Sequence, residues 1–169
     1  NPEWSAAQLL DDKVSGMGWS SRIIVSHDGT GGIPFRYDSL PAVQKGQRAA
    51  DESTARDIMD YLHGDISNEE RFDGAFRSRF SVLGDIVHSA PSFKNDIVYV
   101  GGNDGMLHAF DAHLGEELFA YVPDQVFANL SALADPYYEH QYYVDLTPAI
   151  RDLTLSGVDA TMLVGVLGK

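Results

Sequence analysis

Cysteine is absent from the 169-residue sequence, which excludes disulfides and thiolate metal sites. Basic residues are scarce: 12 Lys and Arg stand against 25 Asp and Glu, giving a formal net charge of −13. That balance opposes contacts with phosphates, so we expect no nucleic-acid partner. Long apolar runs are also missing, because the most apolar stretch, 160–168, has only the length of a strand and cannot span a bilayer.

The remaining composition is that of a folded domain. Apolar residues make up 44% of the chain and charged residues 22%, which is ordinary for one globular core. The sequence starts at Asn1 without an initiator Met or a signal-like apolar segment. We therefore expect a piece of a longer protein, whose natural start and any export signal lie upstream or have been removed.

Residues 1–20 have no clear periodicity beyond a short turn of helix at 5–10. The β-rich runs 21–26 and 33–37 flank the segment His-Asp-Gly-Thr-Gly-Gly, whose glycines and aspartate favour a hairpin connection.

A helix is predicted over residues 51–63. Its apolar side chains recur at i, i+3, i+4 and i+7, at Ala55, Ile58, Met59 and Leu62. Asp51, Ser53 or Thr54 can cap its start, and Gly64 is the expected stop. The charged residues 65–74 that follow are typical of an exposed linker.

Strands dominate after residue 77. Four short runs with turn-forming residues between them predict an antiparallel meander, at 84–89, 96–101, 106–111 and 117–122. A short helix is predicted at 125–134. Further strands are predicted at 141–145, 149–155 and 160–168.

Residues 98–119 read VYVGGNDGMLHAFDAHLGEELF, which resembles a blade of the quinoprotein-type β-propeller. Gly101, Gly102 and Gly105 permit a tight turn. In the strand that follows, every second side chain points to the same side. These side chains are Leu107, Ala109 and Asp111. In that repeat a tryptophan commonly docks between blades where Phe119 stands, and a threonine is common where Leu114 stands.

Motifs that cover most of the chain after residue 20 narrow this resemblance to the PilY family of type IV pilus assembly and tip proteins. In order, they are SRIIVSHDGTGGIPFRYDSL, DIMDYLHGD, FRSRFSVLGDIVHSAP, the blade sequence, LADPYYEHQYYVDLTPAIRDL and LVGVLG. One departure is His63, where the resemblance leads us to expect an arginine. The ordered combination is far more specific than the blade motif alone.

The resemblance implies a non-enzymatic protein that is exported to the periplasm, outer membrane or surface of a Gram-negative bacterium. It implies a variable, often adhesin-like N-terminal region and a C-terminal propeller that promotes pilus extension and opposes retraction, with roles in adhesion and twitching motility. The implied partners are the remaining propeller blades and minor pilins. It also implies a calcium-binding loop, but no Asp-x-Asp/Asn-x-Asp/Asn-Gly run occurs in this sequence.

Several residues invite other interpretations. Asn103 and Asp104 could hold a cation, but Asn-Asp-Gly is more often a turn. The sequence has six histidines, which suggest a zinc site: His27, His63, His88, His108, His113 and His140. However, no two of them are spaced i, i+4, and there is no His-Glu-x-x-His motif. Ser89, His88 and Asp85 resemble a catalytic triad only superficially, because neighbours on a strand face opposite sides. Four tyrosines could form a binding surface, although packing between blades is favoured: Tyr137, Tyr138, Tyr142 and Tyr143.

We therefore predict a mostly β fold, a partial β-propeller of quinoprotein-like blades with helical insertions. Residues 1–75 form the lead-in and 76–169 supply about two blades, too few to close a propeller of 4 to 8 blades. No catalytic, metal-binding or cofactor-binding residue is assigned, and no cofactor is expected in this segment. Two alternatives remain open: a fragment of a pyrroloquinoline-quinone dehydrogenase and a scaffold for outer-membrane protein assembly.

Overall fold

The computed structural model describes residues 3–46 and 51–167, which form a mixed architecture of helices and strands. Asn1 and Gly168, at the ends of the predicted lead-in and last strand, lie outside these ranges. The α-helices are α1 (Ala6–Met17), α2 (Ala42–Gly46) and α3 (Glu52–His63), and the longest 3-10 helix is Asp124–Ala134. The strands are β1 (Ile24–His27), β2 (Gly32–Pro34), β3 (Ser92–Lys94), β4 (Ile97–Gly101), β5 (Leu107–Asp111), β6 (Glu117–Tyr121), β7 (Leu146–Leu155) and β8 (Val158–Val166). The predicted β-rich fold with helical insertions is thus confirmed only in this coarser, mixed form.

Six strands form one sheet in the order β2-β1-β6-β5-β4-β3, and β7 and β8 form a second. The predicted N-terminal hairpin is confirmed, because β1 and β2 pair antiparallel. β1 also pairs parallel with β6, with Ile24 opposite Ala120. This parallel pairing joins the hairpin to the strands of the blade-like motif.

Three strands of the predicted meander are confirmed as β4, β5 and β6, but the strand predicted at 84–89 is wrong. Two backbone amides of this segment donate to side chains instead of to a neighbouring strand. Gly84 N donates to Asp104 Oδ2 (3.0 Å) and His88 N donates to Asp145 Oδ1 (3.1 Å). A backbone donor that is used in this way cannot contribute to a strand ladder.

The fourth meander strand is β3 instead. It pairs antiparallel with β4 across Asn95 and Asp96, which both have positive φ, 51° and 60°. Two consecutive residues of positive φ are typical of the type I′ hairpin turn, in which Asn and Asp are favoured. Asn95 and Asp96 therefore form the turn, and the strand predicted at 96–101 begins one residue later, at Ile97.

The strand predicted at 141–145 is also wrong, while the later two are confirmed as the antiparallel hairpin of β7 and β8. Gln141 N donates to the Tyr138 hydroxyl (3.0 Å), and Tyr143 N donates to Asn103 Oδ1 (3.1 Å). As in residues 84–89, side chains take the place of a neighbouring strand.

The helix predicted at 51–63 is confirmed as α3. The Asp51 side chain caps it by accepting from Thr54 N (2.9 Å), and Gly64 ends it in the left-handed conformation. The helix predicted at 125–134 is confirmed in the 3-10 form. The predicted turn at 5–10 extends into the three-turn helix α1, which Ser5 caps.

The core lies between the sheet, α3 and the Asp124–Ala134 helix. Its fully buried side chains include Phe35, Tyr61, Phe127 and Val122. Both sides of residue 75 contribute to this core, and the division of the chain there stays a prediction. The exposed linker predicted at 65–74 is wrong at Glu69, whose side chain is completely buried.

Candidate functional site

Four charged side chains form a continuous row next to strands β1, β5 and β6. We call it the charged row, and its members are Arg22, Glu117, His108 and Asp104. Arg22, which lies just before β1, donates twice to the Glu117 carboxylate on β6, at 2.8 and 2.7 Å. Both side chains are inaccessible to solvent. Arg22 also donates to the carbonyl of His63 (3.2 Å), which ends α3. One guanidinium therefore links the first strand, the last meander strand and the helix.

His108 on β5 continues the row. Its Nδ1 donates to Glu117 Oε1 (2.9 Å), and its Nε2 donates to the Asp104 carboxylate (3.1 Å). Burial by itself lowers the pKa of His108, but the Asp104 and Glu117 carboxylates outweigh it and raise the pKa to about 9. The imidazole is therefore charged at neutral pH. Arg and His supply two positive charges against two carboxylates, so the row is neutral as a whole.

Asp104 ends the row in the turn between β4 and β5. Besides His108, it accepts from Gly84 N (3.0 Å) and Met106 N (3.3 Å). Burial raises the pKa of this carboxyl, but His108 outweighs it and the net shift is downward. Within the turn, Gly105 has a φ of +88°, and a Cβ there would lie 2.3 Å from a Leu130 methyl. The Asn-Asp-Gly sequence thus fits a turn packed against the Asp124–Ala134 helix.

Asn103, the other candidate cation ligand, belongs to a second network. Its side-chain oxygen accepts from Tyr143 N (3.1 Å), and its amide nitrogen lies 3.4 Å from both Asp85 and Asp145. Asp145 also accepts from the His88 ring, and the hydrogen bonds from this ring and from His88 N hold the pKa of that carboxyl down against the effect of burial. Within residues 3–46 and 51–167, no group of three or more His, Cys, Asp and Glu side chains is placed to hold a metal ion.

The superficial triad of Ser89, His88 and Asp85 is not assembled. The Ser89 hydroxyl accepts from Gly101 N (2.8 Å) and donates to Leu146 O (3.3 Å). The His88 ring pairs with Asp145, while Asp85 pairs with the His140 ring at 2.8 Å. The serine therefore connects strands, and its geometry gives no activated nucleophile.

The arginines of the FRSRF segment have separate structural roles. Arg79 donates to the buried Glu69 (2.9 Å) and to the carbonyls of Tyr61 (2.7 Å) and Asp65 (2.9 Å). Its guanidinium lies 3.6 Å from the Tyr61 ring centroid. Arg77 instead donates to Leu133 O (3.0 Å) and lies over the Tyr138 ring. These bonds attach the segment to α3 and to the end of the Asp124–Ala134 helix.

His63, the departure from the expected arginine, is a core residue. Its ring stacks on Phe35 and contacts the edge of Trp19, and its Nδ1 donates to Met59 O (2.7 Å). Burial lowers the pKa of His63 to about 3, so the ring is neutral. The Arg22 guanidinium is bonded to the carbonyl of this same residue, so a positive charge is still present beside it.

The aromatic candidates divide between core and surface. Tyr143 is buried, and this burial raises its pKa to about 12, while Tyr138 packs against the core. Tyr137 and Tyr142 are exposed. Phe119 is half-buried on β6, opposite Ala109 on β5, and its docking between blades stays a prediction.

Sequence reasoning missed the charged row. Arg22 and Glu117 are 95 positions apart, and no spacing rule connects them. The one available signal was the placement of His108 and Glu117 inside β-rich runs, where a charged side chain needs a buried partner if its face is covered.

The described residues form a β-sheet module that packs against helices. Its buried carboxylates accept hydrogen bonds from side-chain and backbone N–H groups of the chain itself. Comparison with known proteins shows that the chain is related to the PilY family of type IV pilus biogenesis factors. It is 34% identical to the type IV pilus biogenesis factor PilY1 of Pseudomonas aeruginosa strain UCBPP-PA14 and 33% identical to PilY1 of strain PAK. A PilY1 homolog of Xylella fastidiosa strain Temecula1 is 36% identical.

These matches extend along nearly the whole chain but only a small part of each relative. They cover 98%, 97% and 89% of this chain, and 17%, 17% and 14% of the respective relatives. No family model matches, and no solved structure matches. Among the helices of the described ranges, none is long and apolar enough to cross a bilayer.

Proposed function

We propose that this chain is a segment of a type IV pilus biogenesis factor and that it acts as a scaffold, without catalysis. The observation that carries the proposal is the 34% identity to PilY1 along 98% of the chain. The site supports it, because the buried polar groups connect strands and helices to one another. A pilus role places the protein in the envelope or on the surface of a Gram-negative cell, at the pilus tip, with adhesion and twitching motility depending on it.

We also propose that the six-stranded sheet contains one propeller blade. β3, β4, β5 and β6 form a four-stranded antiparallel meander, which is the unit that propellers repeat. β7 lies beside β3, where the Ser92 hydroxyl donates to Pro148 O (2.6 Å) and Lys94 pairs with Asp152. The β7–β8 hairpin would then begin the next blade.

One face of the β7–β8 hairpin supports this reading. Its side chains are apolar apart from one arginine, and four of the large ones are exposed: Leu155, Val158, Met162 and Val164. The opposite face carries polar residues such as Asp152 and Thr161. An isolated two-stranded hairpin is only marginally stable in water. Remaining blades of the parent protein would cover the apolar face, and minor pilins would bind the assembled propeller. Any calcium loop would lie in those other parts.

The test is removal of residues 96–122, which span β4, β5 and β6, from the parent gene. A propeller that lacks the core of one blade cannot keep its geometry, so surface pili should be lost or strongly reduced. The major pilin should still be made. Sheared surface pilin is compared with total pilin, and an immunoblot follows the parent protein. His113→Asn, in an exposed turn of the same segment, is the matched control and should leave piliation normal.

The outcomes separate this proposal from the alternatives. Normal piliation and twitching in the deletion strain would reject the pilus role. A specific defect in outer-membrane protein insertion would favour the assembly scaffold instead. Stoichiometric pyrroloquinoline quinone in the purified parent protein, with alcohol oxidation that the deletion removes, would favour the dehydrogenase.

A further inference from the structure

A cavity of about 350 Å³ lies beside the FRSRF segment, between this segment, the β4–β5 turn and the end of the Asp124–Ala134 helix. Apolar side chains line part of it, including Leu83 and Leu133. Arg77 and Tyr138 line another part. Its volume suits two or three amino-acid side chains rather than a large cofactor.

Arg77 is the charged feature of this cavity. Its guanidinium is held over the Tyr138 ring, 4.5 Å from the centroid, and its Nε donates to Leu133 O. Among the described residues, no carboxylate lies within ion-pair distance of Arg77, whereas Arg79, two positions later, is paired with Glu69. Although the chain has a net charge of −13, a guanidinium that is held in place without a carboxylate partner provides a local site for an anion.

Phe80 is the apolar feature. Its ring lines the cavity and is completely exposed, at 108% of the reference area. A lone exposed Phe is common, but this one lies three residues after the half-buried Arg77 and beside a concave apolar surface. Aromatic residues and arginine are both enriched at protein interfaces relative to the rest of the surface.

Two carboxylates also line the cavity, and each is hydrogen-bonded to a histidine ring. Asp85 pairs with His140 at 2.8 Å. Asp104 pairs with His108 and accepts from Gly84 N. The nearby negative charges are therefore already engaged, and Arg77 is left as the cation available to a ligand.

We propose that this cavity binds a peptide segment of a partner protein in which an acidic side chain adjoins a bulky apolar one. The carboxylate pairs with Arg77, and the apolar side chain packs on Phe80. A side-chain carboxylate fits better than a chain terminus, because terminal carboxylates are captured by free backbone amides. The Gly84 amide in this cavity is already used by Asp104.

Fluorescence anisotropy with the purified parent protein tests the proposal. The probe is a fluorescein-labelled, C-terminally amidated peptide, Gly-Ser-Phe-Glu-Leu-Ser-Gly, and its partner carries Gln in place of Glu. The Glu peptide should bind saturably, and the Gln peptide at least about tenfold more weakly, because a charge-assisted pair is lost. Arg77→Gln and Phe80→Ser should each weaken binding of the Glu peptide by a similar factor.

Arg151→Gln is the matched control, since Arg151 is exposed and also lacks an ion-pair partner in the described ranges, and binding should not change. Thermal unfolding checks that each variant is folded. If Arg77→Gln fails to fold, the fully exposed Phe80→Ser decides. Equal affinity for the two peptides, undiminished binding by Phe80→Ser, or no saturable binding would overturn the proposal. The proposal would also be overturned if the Gln peptide, made with a free C-terminal carboxylate, bound with the same affinity as the amidated Glu peptide. Piliation results do not affect this outcome.

Discussion

Single residues of the charged row depend on one another because they are buried as a neutral set. Two cations and two carboxylates alternate from Arg22 to Asp104, and each makes hydrogen bonds to the next. Removing one member leaves a buried charge without its partner, which typically costs about 3–5 kcal/mol. Such a set favours one arrangement of the strands that carry it.

The first prediction at this scale concerns pH. The pKa of His108 is about 9 in the fold against a usual 6.5, so its protonation stabilises the protein fully below pH 6.5. This stabilisation is lost as pH rises through 9, when Asp104 and Glu117 remain charged beside a neutral ring. We expect the free energy of unfolding in urea to fall between pH 6.5 and 9.5, and this fall to be reduced in His108→Asn.

The exposed His113 provides the matched control, because His113→Asn removes an imidazole at the surface. Its unfolding free energy should follow the pH dependence of the unmodified protein. An equal fall with pH in His108→Asn and in the unmodified protein would show that the row does not hold a charged imidazole.

At the scale of elements, the end of α3 is fixed by close packing as well as by backbone conformation. Gly64 has a φ of +117°, and a Cβ there would lie 3.1 Å from methyl groups of Val14 on α1 and Val82. Gly29, in the β1–β2 turn, also has a positive φ, +97°, but no atom lies within 4 Å of its Cβ position. Replacing Gly29 therefore measures the free-energy cost of backbone strain alone, whereas replacing Gly64 measures strain together with steric crowding.

We therefore predict that Gly64→Ala lowers the free energy of unfolding by about 2–4 kcal/mol, and Gly29→Ala by about 1 kcal/mol. Urea unfolding of the two variants measures the difference. Equal losses would mean that α1 and Val82 move away without cost, and that strain alone limits this position.

The elements also show what could be predicted from sequence. α3 was predictable because its apolar period, its cap and its terminal glycine are all local. β4, β5 and β6 were predictable because turn residues separate them. Residues 84–89 were not, since their β-rich composition is overridden by two distant aspartates, Asp104 and Asp145, that accept their backbone hydrogen bonds. The charged row was not predictable for a similar reason, because Arg22 is 95 positions away from its partner Glu117.

At the scale of the whole molecule, the exposed hairpin of β7 and β8 should control solution behaviour. Its apolar face and the outer edge of β8, which pairs only with β7 among the described strands, favour association with other strands. We predict that the 169-residue chain, produced alone, self-associates with increasing concentration. Val164→Lys on the apolar face should reduce association, and Thr161→Lys on the polar face should reduce it less, as measured by sedimentation velocity. A sharp, reversible, concentration-independent unfolding transition of a monomer would contradict this.

The pairing of Arg22 with Glu117 also has a consequence for the order in which the chain acquires its structure. During synthesis, β1 and Arg22 emerge long before β6, because 95 positions separate Arg22 from its partner Glu117. Until Glu117 arrives, the guanidinium must stay hydrated, and β1 lacks its parallel neighbour. Contacts between such distant residues form slowly. We expect residues 22–35 to remain accessible to chaperones and proteases until β6 is available, and then to become protected in a single step.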